Sequence, residues 1–329
     1  MVQSKNQEVI KLKKLKVFFS VLIVITLLAG LFWNSQKGGK GIETTEFLFD
    51  TICSITVFSR DDQVAAKDAF DEAARIHKLS DFFDEGSDVS KINNANASVP
   101  INVDESIIDM IELANEINTA SNGAFNITLA PVSALWKFDA ETPIPPTDED
   151  ISAALKKSAR ERLNFDKKSG TVKKAFADTK IDLGAIAKGY AADQAAKVLK
   201  NAGVKSAIID FGGNIVTIGK NPKSPDGKWR IGLQTPFASS GEYSKILKLD
   251  ESSIATSGTY QRSFEYDGKL YHHIIDPKTG YPAVQGFDSV TITAKSAALA
   301  DALSTAVFVM GEEDGKKLVE EFGSSLEIL

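Results

Sequence analysis

Hydrophobic residues recur along this chain with two periods, one typical of helices and one typical of strands. The 3.6-residue period predicts helices over residues 62–80 and 104–121, and a further helix from Ala297 to Met310 that ends at Gly311. Apolar or alternating stretches predict strands at 47–58 with a break at Asp50, 171–182 (a pair), 207–219, 229–236, 243–249, near Ile254, 272–277 and 289–294. This mixture predicts an α+β domain with a mainly antiparallel sheet and helices on its face.

Two more segments complete the predicted order of elements. Residues 140–150, AETPIPPTDED, are rich in proline and acidic residues, which predicts a hinge between two lobes, and 151–157 predict a short helix. Residues 181–200, IDLGAIAKGYAADQAAKVLK, predict a long helix that begins near Gly184.

The first 44 residues differ from the rest of the chain. Residues 17–33 carry no charge and are long enough to cross a bilayer as a helix. Four lysines between residues 11 and 16 precede them, so the positive-inside rule predicts a cytoplasmic basic segment (1–16), a transmembrane anchor (17–33), a linker (34–44) and an extracytoplasmic domain (45–329). A cleaved signal peptide has the same order of basic and apolar residues and remains the alternative.

Charge and cysteine content limit the kinds of partner and of metal site that this chain can have. The chain has a formal net charge of −6, and its first 16 residues carry +4, which leaves −10 for the remainder. An acidic body argues against nucleic acid as a partner. A single cysteine, Cys53, excludes an intramolecular disulfide and any metal site built from several cysteines. Oxygen and nitrogen groups must therefore carry the chemistry.

The helix that begins near Gly184 is predicted to carry Lys188 in its first turn, where the helix dipole disfavours a cation. A strand end, a glycine and a helix start also present free backbone N–H groups, the basis of many phosphate sites. This combination predicts a bound anion. A solvated lysine beside a helix cap is the structural alternative.

Asp301 is unusual because it lies in the apolar run SAALADALSTAVFVM. A buried carboxylate is costly unless it is paired or binds a cation. Thr305 lies one turn later on the same helical face. Oxygen ligands of this kind suit Mg²⁺ or Ca²⁺, with water or a ligand phosphate completing the shell. A buried, hydrogen-bonded aspartate is the alternative.

The segment YHHIIDPKTGYP holds two of the three histidines in the chain. Neighbours in a strand face opposite sides, so only one of His272 and His273 can face a given pocket and serve as a general base. Dinucleotide-binding and P-loop motifs (GxGxxG, GxxxxGK[ST]) do not occur in the sequence, nor do HExxH and GxSxG. These absences argue against an ordinary Rossmann or P-loop protein.

Five segments, taken together, resemble one family. DLGAIAKGYAAD, DFGGNIVTIG, ATSGTY, HHIIDPKTGYP and ADALSTAVFVMG occur in the order and spacing of the FAD:protein FMN transferases, the ApbE family, and the resemblance covers about residues 45–322. It implies a two-lobed, T-fold-like domain of an extracytoplasmic enzyme. Together with the transmembrane helix predicted from residues 17–33, this gives a single-pass protein of the cell membrane. The implied activity splits FAD, releases AMP and attaches FMN through a phosphoester to a threonine or serine of an extracytoplasmic acceptor flavoprotein.

The resemblance also implies roles for individual residues. It assigns an Mg²⁺ ion to the carbonyl of Ala185, the carboxylate of Asp301 and the hydroxyl of Thr305, and the role of base to His273. The implied FAD contacts are Phe49, Phe83 or its neighbour Phe82, Ala124, Phe125, Asn126, Asp182, Lys188 and Ile275. Two positions depart from the family pattern: Phe49-Asp50-Thr51 stands where Met-Gly-Thr is common, and Asn126 replaces an aspartate.

Two other functions stay open at the level of the sequence. One is an FAD pyrophosphatase, in which water replaces the acceptor hydroxyl. The other is a membrane-tethered flavin-binding protein without catalysis, which would not need a base and a metal together.

Overall fold

A computed structural model of the chain describes residues 40–138, 140–159, 162–239 and 241–329. The predicted basic segment (1–16), transmembrane anchor (17–33) and most of the predicted linker (34–44) lie outside these ranges. Within them, no helix combines the length and the apolar character needed to cross a membrane.

A seven-stranded antiparallel sheet forms the centre of the fold. Its strands, in spatial order, are β1 (Ile42–Leu48), β2 (Thr51–Val57), β6 (Ser206–Phe211), β7 (Asn214–Gly219), β10 (Ser253–Gly258), β13 (Ser289–Ala294) and β14 (Ser325–Ile328). The predicted α+β class with a mainly antiparallel sheet is thereby confirmed.

The break predicted at Asp50 is the turn of the β1–β2 hairpin. Phe49 and Asp50 have φ angles of 53° and 57°, as a two-residue type I′ turn requires. β1 begins at Ile42, which pairs with Val57, so the sheet includes the last three residues of the range predicted as linker.

Eight α-helices are found in the described ranges. They are α1 (Gln63–Ser80), α2 (Asp88–Asn94), α3 (Glu105–Ala120), α4 (Ala130–Trp136), α5 (Asp148–Leu155), α6 (Gly184–Asn201), α7 (Ala297–Met310) and α8 (Glu312–Glu321). The predictions for 62–80, 104–121, 297–310 and the helix from Gly184 are confirmed to within a residue or two. Helix α6 packs between α1 and α7, and the inward residues Cys53, Ile55 and Val57 of β2 belong to the same core.

Three small sheets surround this centre. They comprise β3 (Ile101–Asn102), β5 (Thr171–Lys174) and β4 (Leu163–Asp166); β8 (Trp229–Gln234) with β9 (Tyr243–Leu249); and β11 (Ser263–Tyr266) with β12 (Lys269–His272).

The strand pair predicted within 171–182 was wrong. Only Thr171–Lys174 is a strand, and its partners are β4 and β3. The backbone of Ile181 is instead held by the side chain of Asn93, whose Oδ1 accepts from the Ile181 N–H (2.7 Å) and whose Nδ2 donates to the Ile181 carbonyl (2.9 Å). A side chain distant in sequence thus replaces the expected neighbouring strand.

A second, smaller core lies apart from the main one. Its buried members are Leu129, Val132, Trp136, Ile151, Ala154 and Ile275. Both α4 and α5 contribute to it, so the segment 140–150 between them joins two helices of the same small core. The hinge predicted there was therefore wrong; the Trp136 indole N–H donates to the Gly280 carbonyl (3.0 Å) and ties this core to the 271–282 segment.

Candidate functional site

Asp182, two residues before α6, binds the N-terminus of this helix. Its Oδ1 accepts from the Gly184 N–H (2.8 Å), and the N–H groups of Ile186 and Ala187 donate to the Leu183 carbonyl. Three of the first four N–H groups are thus already used, which corrects the prediction of a cluster of free N–H groups. Positive charge for an anion must come from elsewhere at this end of the helix.

Burial raises the pKa of the Asp182 carboxyl, and the Gly184 hydrogen bond and the positive charges of Arg262 and Lys188 oppose this shift. Both cations therefore act on the start of α6. The backbone N–H of Asp182 also donates to the Ile127 carbonyl (2.9 Å), which joins the helix start to the 124–127 stretch.

Helices α6 and α7 approach each other unusually closely at Gly189. A Cβ atom built on Gly189 would lie 2.3 Å from the carbonyl oxygen of Ala297, so only glycine fits at this crossing. Asp193, one turn later on α6, accepts from the N–H groups of Ala297 (2.8 Å) and Ala298 (2.9 Å). It caps α7 as an N-cap residue does. Burial raises the pKa of Asp193 to about 6, although these two hydrogen bonds act to lower it.

This close approach brings Lys188 and Asp301 together. The Lys188 Nζ lies 3.6 Å from Oδ2 of the buried Asp301 and donates to the Gly184 carbonyl at 3.1 Å. The same Asp301 oxygen accepts from the Gly189 N–H (3.1 Å). Lys188 is the fifth residue of α6, not a first-turn residue, and its side chain folds back toward the helix start. The solvated-lysine alternative was wrong, because a carboxylate of the neighbouring helix is its partner.

Thr305 belongs to a hydroxyl cluster under α7. Its Oγ1 lies 3.4 Å from the Asp301 carbonyl and 3.4 Å from the Ser257 Oγ, whereas Ser257 and Ser304 share a shorter bond of 2.7 Å. Both contacts are long, so the Thr305 hydroxyl forms only weak hydrogen bonds here. Ser257, from the ATSGTY segment on β10, joins the site although the sequence offered no role for it.

The arrangement fits a divalent cation held by oxygens. In a regular helix the Gly189 N–H pairs with the Ala185 carbonyl. Asp301 accepts from that same N–H, and Thr305 follows Asp301 by one turn on α7. The described ranges hold no cluster of three or more His, Cys, Asp or Glu suited to a metal. A metal here would use one carboxylate, neutral oxygens and water or phosphate, as Mg²⁺ accepts.

The two neighbouring histidines have different surroundings. His272 is buried; its Nε2 lies 2.9 Å from the Ala283 carbonyl, and its Nδ1 accepts from the Ile274 N–H. His273 places its Nδ1 3.3 Å from the Arg262 carbonyl. Because a carbonyl only accepts, this Nδ1 carries the proton and Nε2 keeps its lone pair. Of the two, His273 is thus the one with a ring nitrogen available as a base.

The electrostatic environment keeps His273 neutral. Burial lowers the pKa of His273 to about 4, and the positive charges of Arg262, His272 and Lys188 add to the effect. The positive charge of Lys188 lowers the pKa of His273 and opposes the rise in the pKa of Asp182, so it acts on both the 271–282 segment and the start of α6.

The remaining predicted FAD contacts differ in exposure. Phe83 is 80% exposed and meets only the edge of Phe82, so its ring is open to a stacking partner. Phe49 is half-buried against the His77 ring (4.9 Å between centroids). No hydrogen bond or ring contact that the structure describes joins Phe83 or Phe49 to Lys188.

Three predicted contacts lie around the 124–127 stretch. Ala124 and Phe125 are buried, and the Phe125 N–H donates to the Ser121 hydroxyl while its carbonyl accepts from the Asn118 amide. Asn126 uses its side chain locally: its Oδ1 accepts from Thr128, and its Nδ2 donates to the Ser158 carbonyl (2.8 Å). Ile275 is buried in the smaller core and forms a bridge with Pro282.

A cavity of about 290 Å³ lies elsewhere, between α3, α6 and the start of α7. Its acidic lining includes Asp109, Glu112, Glu116 and Asp193. None of the predicted site residues lines it, so it is separate from the site described above.

Known proteins resemble this chain in sequence and in fold. A model of the ApbE family matches residues 49–329. The FAD:protein FMN transferase of Treponema pallidum is 30% identical over 327 residues, covering 93% of this chain and 89% of that protein. The FAD:protein FMN transferase of Vibrio cholerae is 35% identical over 237 residues, with coverages of 71% and 70%.

Solved structures agree with these relatives. The ApbE protein of Thermotoga maritima matches with a TM-score of 0.79 at 36% identity, covering 88% of this chain and 94% of that chain. The flavin transferase ApbE of Vibrio cholerae matches with a TM-score of 0.78 at 28% identity, covering 88% and 93%. The predicted family and the transferase class are confirmed by these matches: the chain belongs to the ApbE family.

Proposed function

We propose that this chain is an Mg²⁺-dependent FAD:protein FMN transferase that splits FAD, releases AMP and attaches FMN to a threonine or serine of an acceptor flavoprotein. One observation carries the proposal: Lys188 of α6 and Asp301 of α7 converge, 3.6 Å apart, where the two helices cross. A cation and a metal-ligating carboxylate side by side are the charges that a diphosphate needs.

Each residue of the site has a separate task in this proposal. Lys188 holds a non-bridging oxygen of the FAD diphosphate at the start of α6. Asp301, Thr305 and the Ala185 carbonyl hold the Mg²⁺ ion, which when bound neutralises negative charge on the phosphates. Phosphoryl transfer depends mainly on such charge neutralisation and on alignment of the nucleophile.

His273 would handle the proton of the acceptor. Its Nδ1–H is held by the Arg262 carbonyl, so Nε2 is the ring nitrogen left to accept a proton. The acceptor hydroxyl loses its proton to Nε2, its oxygen forms a bond to the FMN phosphorus, and the bond from that phosphorus to the AMP phosphate breaks. The bound diphosphate offsets the positive charges that lower the pKa of His273, so the base strengthens when FAD is present.

We also propose a cellular location for the chain. The apolar stretch 17–33 would anchor the chain in the cell membrane, with the catalytic domain and its acceptor flavoprotein on the extracytoplasmic side. Sodium carbonate extraction and protease protection of the full chain in intact cells test this part separately from catalysis.

Mass spectrometry distinguishes the proposed activity from its rivals. The full chain is incubated with FAD, Mg²⁺ and a candidate acceptor flavoprotein, and both proteins and the nucleotides are analysed. A transferase adds the mass of FMN to the acceptor and releases an equal amount of AMP. Free FMN and AMP without modified acceptor would indicate a pyrophosphatase, and unchanged FAD would indicate a binding protein.

A further inference from the structure

The end of the main sheet where the described chain begins carries a concentration of lysines. The segment that joins β7 to the start of β8, with the sequence KNPKSPDGKWR from residue 220 to 230, has four basic residues and one acidic residue. Its Lys223 Nζ lies 3.3 Å from a Cβ built on Gly41 and 5.4 Å from the centre of the Phe58 ring. The segment therefore lies against the first described residues and the end of β2.

Other lysines reach the same end. The Lys205 backbone packs against Gly219, the Lys220 side chain packs against Gly227, and Lys248 faces Arg230 across the β8–β9 pair. We call Lys40, Lys205, Lys220, Lys223 and Lys248 the basic end. All five are exposed, and none of them forms an ion pair with a residue that the structure describes. Neighbouring Lys228 and Arg230 are already neutralised by Asp250 and Asp226.

Unpaired positive charge at one end contrasts with a body that carries −10 after residue 16. A partner bound to this surface would be anionic. Only seven residue steps separate Trp33, the last residue of the predicted anchor, from Lys40. Seven steps span at most about 25 Å. If the apolar stretch is in the membrane, Lys40 stays within about 25 Å of the end of the anchor, and Lys223, which lies against Gly41, stays near it.

We propose that the basic end binds the anionic headgroups of the membrane surface and so fixes the orientation of the domain. Lysines are attracted to such a surface within a Debye length, about 10 Å at 0.1 M salt. The inference rests on the proposed membrane anchor, not on the proposed chemistry.

The orientation has a consequence for catalysis. Helix α6 ends at Asn201, close to Lys205 at the basic end, and begins at Gly184 in the candidate site. Eighteen helical residues span about 27 Å. Seating the basic end on the membrane would therefore hold the site roughly a helix length above the headgroups, facing the space from which an acceptor protein approaches.

Lysine labelling in nanodiscs tests the proposal with the full chain. The protein is reconstituted in discs of phosphatidylcholine alone or with 30% phosphatidylglycerol, treated with a short pulse of an acetylating reagent, and analysed by mass spectrometry. We expect Lys220 and Lys223 to react at least threefold more slowly in the anionic discs, and 0.5 M salt to remove the difference. Lys278, exposed in the turn after His273, is the internal control and should react equally in both discs.

A triple variant, Lys205→Gln, Lys220→Gln and Lys223→Gln, should lose the effect of anionic lipid on Lys40 and Lys248 while keeping activity on a soluble acceptor. Equal labelling of wild type in the two kinds of disc overturns the proposal, as does protection that needs an added acidic protein instead of lipid. If carbonate releases the chain from membranes, the anchor is wrong, and cosedimentation with anionic against neutral vesicles then decides whether the basic end binds lipid.

Discussion

Replacing Gly189 by alanine tests whether the close crossing of α6 and α7 builds the site. The added Cβ would stand 2.3 Å from the Ala297 carbonyl oxygen and 2.8 Å from the Ala298 nitrogen, both backbone atoms. Real Cβ contacts are essentially never shorter than 3.0 Å, so the two helices must separate by at least about 0.7 Å. No side chain can move aside to relieve this contact.

Two opposing effects set the size of the stability change. Overpacking of this kind destabilises by about 1–3 kcal/mol, whereas Gly to Ala in a helix interior gains about 1 kcal/mol of helix propensity. We therefore expect a net loss in the free energy of unfolding of about 0–2 kcal/mol. The larger effect is on activity, because separating the helices moves Lys188 away from Asp301. Misplacement by about 1 Å can cost about 10²-fold in rate.

The assay measures kcat/KM for FMN transfer to an acceptor, together with urea unfolding. Gly286→Ala is the control, because a Cβ built there meets nothing within 4 Å. Gly189→Ala should lose activity about 100-fold while remaining folded, and Gly286→Ala should keep wild-type values. Wild-type activity in Gly189→Ala would refute the idea that this helix crossing positions the reactive groups.

Three further predictions concern single groups. His273→Ala should slow transfer by about 10²-fold or more but leave FAD affinity, measured by isothermal titration calorimetry, within a factor of a few; near-normal transfer would exclude it as the base. Asp301→Ala should abolish the increase in FAD affinity that Mg²⁺ produces, and a persisting Mg²⁺ effect would place the metal elsewhere. The imidazole of His273, followed by NMR, should titrate near pH 4. Because burial and then the Arg262 charge lower this pKa, Arg262→Gln should raise the pKa and move the acidic fall of kcat/KM to higher pH. An unchanged titration in this variant would contradict the electrostatic account.

The sequence predicted the long helices correctly because their apolar faces repeat over many turns. It failed where a distant side chain decides the local structure. Asn93 holds Ile181 in place of a neighbouring strand. The helices at the two ends of the 140–150 segment share one core, in which Trp136 binds the Gly280 carbonyl. Such contacts link residues 88 and 144 positions apart, so no local periodicity reveals them.

The sequence singled out the residue types of the candidate site but not the contacts between them. Lys188 and Asp301 were anomalies in their own helices, which is why the sequence singled them out. That each is the partner of the other depends on Gly189, whose role is visible only once the neighbouring helix is in place. Asp193 was likewise missed, because a carboxylate on a helix gives no sign in the sequence that it caps a second helix.

Hydrogen bonding distinguishes the two histidines, which strand alternation alone does not. His272 has both ring nitrogens engaged, whereas among the residues that the structure describes His273 is engaged through Nδ1, toward the Arg262 carbonyl. The alternation of a strand predicts that neighbouring residues face opposite sides, but it does not tell which of them faces a substrate.

Locating the metal tests the central claim most directly. Crystals of the protein grown with FAD and Mn²⁺ in place of Mg²⁺ would reveal the metal by its anomalous scattering. We predict one peak within about 2.2 Å of an Asp301 carboxylate oxygen, close to the Thr305 hydroxyl and the Ala185 carbonyl, with the Lys188 ammonium on the same diphosphate. A peak in the acidic cavity of Asp109 and Glu112, with the diphosphate away from Lys188, would contradict the account.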